Sequence, residues 1–212
     1  MKYVLYRANG FGSTCVEAAL ELLNLPYDRI DVEVLGSAQE RARVRAVNPA
    51  GQIPALVLPN DDLMTESAGI LIYLGDLHPE AGLAPTPDAP QRPDYLRWLL
   101  FLSSNYYSTF AITDGPERFL ADERQHPDLL TKSLERRKQF WKIMEDGVFP
   151  GPYILGEAMS LLDVYVAMMS HWSPRRDWFF EHCPRLSGAV RATEAHPIIR
   201  SVWKRNFALE AV

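Results

Sequence analysis

The sequence predicts an α/β domain followed by an all-α domain, and three observations predict it. Over about the first 75 residues strand-like and helix-like patterns alternate, whereas beyond about Gln91 only helical periodicity remains. Between them, His78 to Gln91 contains four prolines and a glycine, continues neither pattern and reads as a linker. The expected division is 1–77, a linker over 78–91, and 92–212.

The elements follow in order. Lys2 to Tyr6 is a β-branched and aromatic run, expected as a strand, with Tyr3 and Tyr6 as packing residues. After the turn Ala8-Asn9-Gly10-Phe11-Gly12-Ser13, the segment Thr14-Cys15-Val16-Glu17 has the form of a capping box. Val16, Ala19, Leu20 and Leu23 then recur at helical spacing, so a helix starts near Thr14 and ends by Pro26. Ile30, Val32 and Val34 alternate with Arg29, Asp31 and Glu33, which argues a second strand. Ser37-Ala38-Gln39-Glu40 caps a second helix that must stop near Asn48, because Pro49 follows. Pro54 to Leu58 and Leu63 to Thr65 flank the turn Pro59-Asn60-Asp61-Asp62, and a third helix runs from Glu66 through Leu74. The order βαβ then ββα is that of a thioredoxin-like domain. In the second domain the clearest helical patterns are Pro93 to Ile112, Pro127 to Met144, Ser160 to Met169 and Pro197 to Trp203, with a shorter one near Arg185 to Thr193. The prolines that open three of them fit a first helical turn, and Ser160-Leu161-Leu162-Asp163 is a further capping box before an apolar run.

Composition bounds the function. The 212 residues are 47% apolar and 23% charged, with a net charge of -5, the make-up of an ordinary globular protein. The acidic balance gives no overall attraction to nucleic acid or an anionic membrane, and no stretch approaches the roughly 20 apolar residues of a membrane span. Two distant cysteines, Cys15 and Cys183, make neither a disulfide framework nor a zinc site, so a cytoplasmic setting is expected. His78, His126, His171, His182 and His196 are scattered, and no metal site is expected. Gly10-Phe11-Gly12-Ser13-Thr14-Cys15 partly imitates a dinucleotide fingerprint, but Cys15 replaces its third glycine and too few strands follow. Arg136-Arg137-Lys138 reads as a solvated face, and the aromatic segment His171 to Phe180 as packing among the last helices, with a partner surface as the alternative.

Three segments coincide in order and spacing: Asn48-Pro49-Ala50-Gly51-Gln52-Ile53-Pro54, then Glu66-Ser67 opening a helix, and finally Ser160-Leu161-Leu162-Asp163. Together they resemble the cytosolic glutathione transferase family, over essentially the whole chain. The resemblance implies the fold of that family, glutathione as co-substrate, a small apolar electrophile as second substrate, and a homodimer. It implies a cis bond before Pro54 that turns the Ile53 backbone toward the cysteinyl part of glutathione, with Gln52 and Pro54 also among the glutathione-binding residues. Glu66 and Ser67, at a helix N-terminus, would receive its γ-glutamyl end, where free N–H groups and the dipole favour a carboxylate. Asn105 would add a polar group from across the cleft.

The resemblance also implies a thiol-activating Tyr, Ser or Cys near the start of the first helix, where a hydrogen bond and the helix dipole stabilise a thiolate. Ser13, Thr14 and Cys15 all lie there. Thr14 is best accounted for as N-cap, Ser13 is the first choice as donor, and Cys15 is either a packed residue or a thiol that forms a mixed disulfide. Aligned on Leu25-Pro26-Tyr27, bacterial beta-class members would place their characteristic Cys at Gly12. Tyr107 falls where such enzymes often have His, and a phenol would replace it as donor. Phe11, Tyr107 and Phe110 are expected to form the wall for the electrophile. The reading is therefore a glutathione transferase, against two alternatives: a glutathione-dependent thiol–disulfide reductase, and a binding or regulatory protein without turnover.

Overall fold

The computed structural model describes residues 2–207; Met1 and 208–212, the outermost parts of the two expected domains, lie outside them. The α/β part comprises β1 (Tyr3–Arg7), α1 (Ser13–Leu22), β2 (Tyr27–Asp31), α2 (Ala38–Val47), β3 (Ala55–Val57), β4 (Leu63–Thr65) and α3 (Ser67–Leu77). The sheet order is β2-β1-β3-β4. β1 is parallel to β2 and antiparallel to β3, and β3 is antiparallel to β4. Two parallel strands need a crossover, and α1 supplies it.

The second strand begins earlier than the alternation of Ile30, Val32 and Val34 suggests. It pairs from Tyr3 opposite Tyr27 to Arg7 opposite Asp31, and the ladder stops there because β1 gives way to the turn at Ala8. Val32 still turns inward, packing with Val44 and Ile53 in a small cluster of its own that Tyr6 and Phe11 flank.

The expected capping box at Thr14 does not form. Gly12 is the N-cap of α1, with no side-chain bond to the helix. Thr14 instead donates its hydroxyl to Asn206 Oδ1 at 2.9 Å. Glu17, fully buried, makes ion pairs with Arg7 at 3.3 Å and with Arg29 and Arg205 at 3.2 Å. A buried carboxylate is tolerated only when paired and hydrogen-bonded, and that requirement outweighs the local cap.

The helical part comprises α4 (Arg92–Phe101), α5 (Ser108–Thr113), α6 (His126–Gly147), α7 (Leu161–Met169), α8 (Arg176–His182), α9 (Pro184–Ala195) and α10 (Pro197–Asn206). A π-helical turn, Leu102–Tyr107, joins α4 to α5. α8 was hidden in the sequence, because Trp178, Phe179 and Phe180 follow one another and mask any helical period. Only Phe179 of the three is fully buried. The basic cluster on α6 also differs from expectation. Arg137 is buried, donating to Thr109 Oγ1 (2.7 Å), to the Thr109 carbonyl (3.0 Å) and to Thr113 Oγ1 (2.6 Å), with its guanidinium 3.8 Å from the centroid of the Phe110 ring.

The box at Ser160 forms as expected. Asp163 Oδ2 accepts from the Ser160 N–H (2.8 Å) and hydroxyl (2.7 Å), and Oδ1 accepts from the Ile154 N–H (2.7 Å). Every residue of α7 is buried, so its start has no water to satisfy these donors. α7 and α1 form the middle of one core that runs from Leu5 and Leu56 through Trp98 and Trp141 to Val202. Among the described residues, no helix is long and apolar enough to cross a membrane.

Candidate functional site

The turn after β1 delivers the N-terminus of α1 to the boundary between the two parts of the molecule. A Cβ placed on Gly12 would lie 2.8 Å from the Tyr107 hydroxyl and 3.5 Å from Pro54 Cδ. The first turn of α1, the residue after the cis Ile53–Pro54 bond and a phenol from the helical part therefore meet at one point. The N–H groups of a first helical turn lack intrahelical partners, so this point is electropositive.

Tyr107 reaches it from the π-helical turn, a feature often found at functional sites. Burial pushes its phenol above the ordinary value; nearby Cys15, Glu66 and Asp114 act in the same direction, and the Gly12 backbone opposes them. The hydroxyl stays protonated at neutral pH and is available as a donor. Its ring stacks on Trp172, centroids 5.0 Å apart at 19°, and lies 6.3 Å from that of Phe110.

The other residues singled out from the sequence fall into three groups. Ser13 and Cys15 are fully buried. The Ser13 hydroxyl donates to the Ala8 carbonyl (3.1 Å) and accepts from the Ala8 N–H (3.2 Å), closing its own turn. Cys15 Sγ donates to the Gly12 carbonyl at 3.0 Å, and burial pushes its thiol far up. Thiolate reactivity needs the opposite environment, so Cys15 has the surroundings of a packed residue.

The second group borders the cleft. Ile53 and Pro54 are buried, while Gln52 is exposed with its carbonyl accepting from Asn48 Nδ2 at 2.8 Å. Glu66, the N-cap of α3, is exposed and has φ 66° and ψ 102°. A non-glycine residue in that region is strained, and such strain clusters at ligand sites. The Ser67 hydroxyl turns inward to the Tyr165 hydroxyl at 3.2 Å, while the first N–H groups of α3 have no partner within the helix.

The third group does not join the others. Asn105 donates within its own helix, to the Phe101 carbonyl at 3.2 Å and to Ser104 Oγ at 3.1 Å. Phe11 packs toward Val32, Val44 and Ile53 and borders a cavity of about 340 Å³ with Leu35 and Gly36. The aromatic that completes the wall with Tyr107 and Phe110 is Trp172, 5.3 Å from Phe110. Sequence reasoning assigned Trp172 to packing; the density of aromatic residues around it was the only signal.

Residues 13–77 match the model of the glutathione S-transferase N-terminal domain. The chain is 34% identical over 204 residues to the GST-like protein YncG of Escherichia coli (strain K12), covering 95% of this chain and 97% of that one. Among solved structures it superposes on a glutathione transferase homologue from Sulfitobacter with bound glutathione, with TM-score 0.84, 25% identity and coverage of 96% and 98%. A glutathione transferase from Methylococcus capsulatus gives TM-score 0.77 at 26% identity, with the same coverage of both chains. With the cis bond at Pro54, the strained Glu66 at the head of α3 and the capped α7 all in place, the chain belongs to the glutathione S-transferase family.

Proposed function

We propose that the protein conjugates glutathione to a small apolar electrophile, with the Tyr107 hydroxyl as hydrogen-bond donor to the sulfur. The convergence of Tyr107, Gly12 and Pro54 carries this reading. Glutathione lies along the Gln52–Pro54 backbone with its γ-glutamyl end at Glu66 and the first turn of α3. The thiol loses its proton to water and the thiolate accepts a hydrogen bond from the phenol, beside the positive end of α1. Sulfur then forms a bond to the electrophilic carbon while the leaving group departs with its electron pair. Tyr107, Phe110 and Trp172 supply the apolar wall. Ser13 is replaced as donor in this reading, because its hydroxyl is engaged with Ala8 on both sides.

The buried thiol of Cys15 disfavours disulfide exchange through Cys15 itself. The division at 77 and 92, a cytoplasmic location and a homodimer belong to the same proposal. The dimer is supported by apolar side chains left exposed on β4 (Leu63), α3 (Tyr73, Leu77) and α4 (Leu100). The test is calorimetric titration with glutathione followed by a pH profile of conjugation to chlorodinitrobenzene. Binding with turnover, and an upward-shifted profile in Tyr107→Phe, are expected. Absence of glutathione affinity sinks the proposal.

A further inference from the structure

Trp172 touches both halves of the thiol site. It follows the buried end of α7, its N–H donating to the Met169 carbonyl at 3.0 Å and its carbonyl accepting from Arg175 at 2.7 Å. The next residue is anchored as well, since the Ser173 carbonyl accepts from the Tyr106 hydroxyl at 2.9 Å. From this fixed base the indole N–H donates to the Gly10 carbonyl at 2.7 Å. Gly10 has φ 73°, and a Cβ on it would lie 3.6 Å from both the Asn206 carbonyl and the Phe207 ring. The turn that leads into α1 is thus held between Trp172 on one side and the end of α10 on the other.

The face of the same indole stacks on Tyr107. One rigid side chain therefore fixes the position of the donor and of the turn that presents the helix N-terminus to the sulfur. Among aromatic residues only tryptophan combines so large a stacking face with an N–H donor at its edge.

We propose that Trp172 is a positioning residue for thiol activation, its indole setting the Tyr107 phenol against the Gly10–Gly12 turn so that both act on the same sulfur. The proposal rests on the reading of Tyr107 given above. Misplacement by an ångström is enough to cost orders of magnitude in rate, so loss of the bridge changes the thiol before it changes binding.

The test is a titration of bound glutathione, followed by the ultraviolet absorbance of its thiolate, in the native protein, Trp172→Phe, Tyr107→Phe and the double variant. Trp172→Phe keeps a ring against Tyr107 and removes the donor to Gly10. Its thiol midpoint is expected to rise by about half a unit to one unit, with the affinity for glutathione changed less than about twofold. The double variant is expected to shift the midpoint by less than the sum of the two single variants, because contacts that act through one another do not add. A native-like midpoint in Trp172→Phe, or a double variant whose shift is the sum of the two, overturns the proposal. If Trp172→Phe does not fold, Trp172→His takes its place, since it keeps a flat ring and a donor; a smaller rise than in Trp172→Ala supports the bridge and an equal rise overturns it. If Tyr107→Phe leaves the midpoint unmoved, the assignment of Tyr107 fails and takes this one with it. If only Trp172→Phe leaves it unmoved, the Tyr107 assignment stands and this proposal alone fails.

Discussion

The Tyr107 hydroxyl stands 2.8 Å from where a side chain on Gly12 would begin. The ring that carries it is stacked on Trp172, so it has little freedom to withdraw. Gly12→Ala is therefore expected to displace the phenol, lower conjugation at least tenfold and cost about 1 to 3 kcal/mol of stability through overpacking. Adding Tyr107→Phe, which removes the colliding oxygen, restores stability without restoring activity. Steady-state kinetics and denaturant melts on the single and double variants distinguish this from a general loss of fold.

Glu17 is the charge on which the end of α10 is docked. It is fully buried and faces three guanidinium groups, and the Asn206 amide also donates to it at 2.9 Å. Among the described residues, Glu17→Ala leaves Arg7, itself almost wholly buried, with only the exposed Asp31 as an acidic partner. Breaking a buried pair from one side costs about 3 to 5 kcal/mol. Urea unfolding at neutral pH should show a loss of that size, and a loss below about 1 kcal/mol would falsify the account.

At the head of α7, Asp163→Ala removes the acceptor for two buried N–H groups, those of Ile154 and Ser160. At about 1 to 3 kcal/mol for each unsatisfied donor, the expected loss is roughly 2 to 6 kcal/mol. Amide hydrogen exchange should locate the weakened region at 154–164, and uniform exchange across the molecule would argue against a local cap.

Glu194 makes stability depend on pH. Burial alone raises its carboxyl, but hydrogen bonds and charge from His171 and Arg176 outweigh burial and hold it below its ordinary value of 4.5. A carboxylate lowered in the folded state contributes stability that is complete above the unfolded value and is lost as pH falls through the folded one. The melting temperature should thus decline below about pH 4.5, and Glu194→Gln should flatten part of that decline. An identical acid slope in both proteins would exclude Glu194 as a contributor.

What could be read in the sequence was local. The Asn48 to Pro54 segment, Glu66-Ser67 and the Ser160–Asp163 box each act within a few residues, so their spacing carries their meaning. The order of strands and helices in the first part was legible for the same reason. The residues misread have partners far away in sequence. Thr14 and Glu17 resemble a capping box, yet both answer to α10. Trp172 reads as packing because its hydrogen-bond partner, Gly10, is separated from it by 162 positions. Arg137 looks solvated in a basic run, but Thr109, Thr113 and Phe110 on the facing segment draw it inward. Ser13 differs from these: its partner Ala8 lies only 5 positions away, but a backbone partner leaves no mark in residue type.

The contact between Arg205 and Glu17 spans 188 positions, and that span sets a clock on biogenesis. At about 5 to 20 residues per second of synthesis, the helix bearing Glu17 waits roughly 10 to 40 seconds for the arginine that completes its neutralisation. Through that interval the nascent α/β segment lacks the end of α10 as a cover for α1.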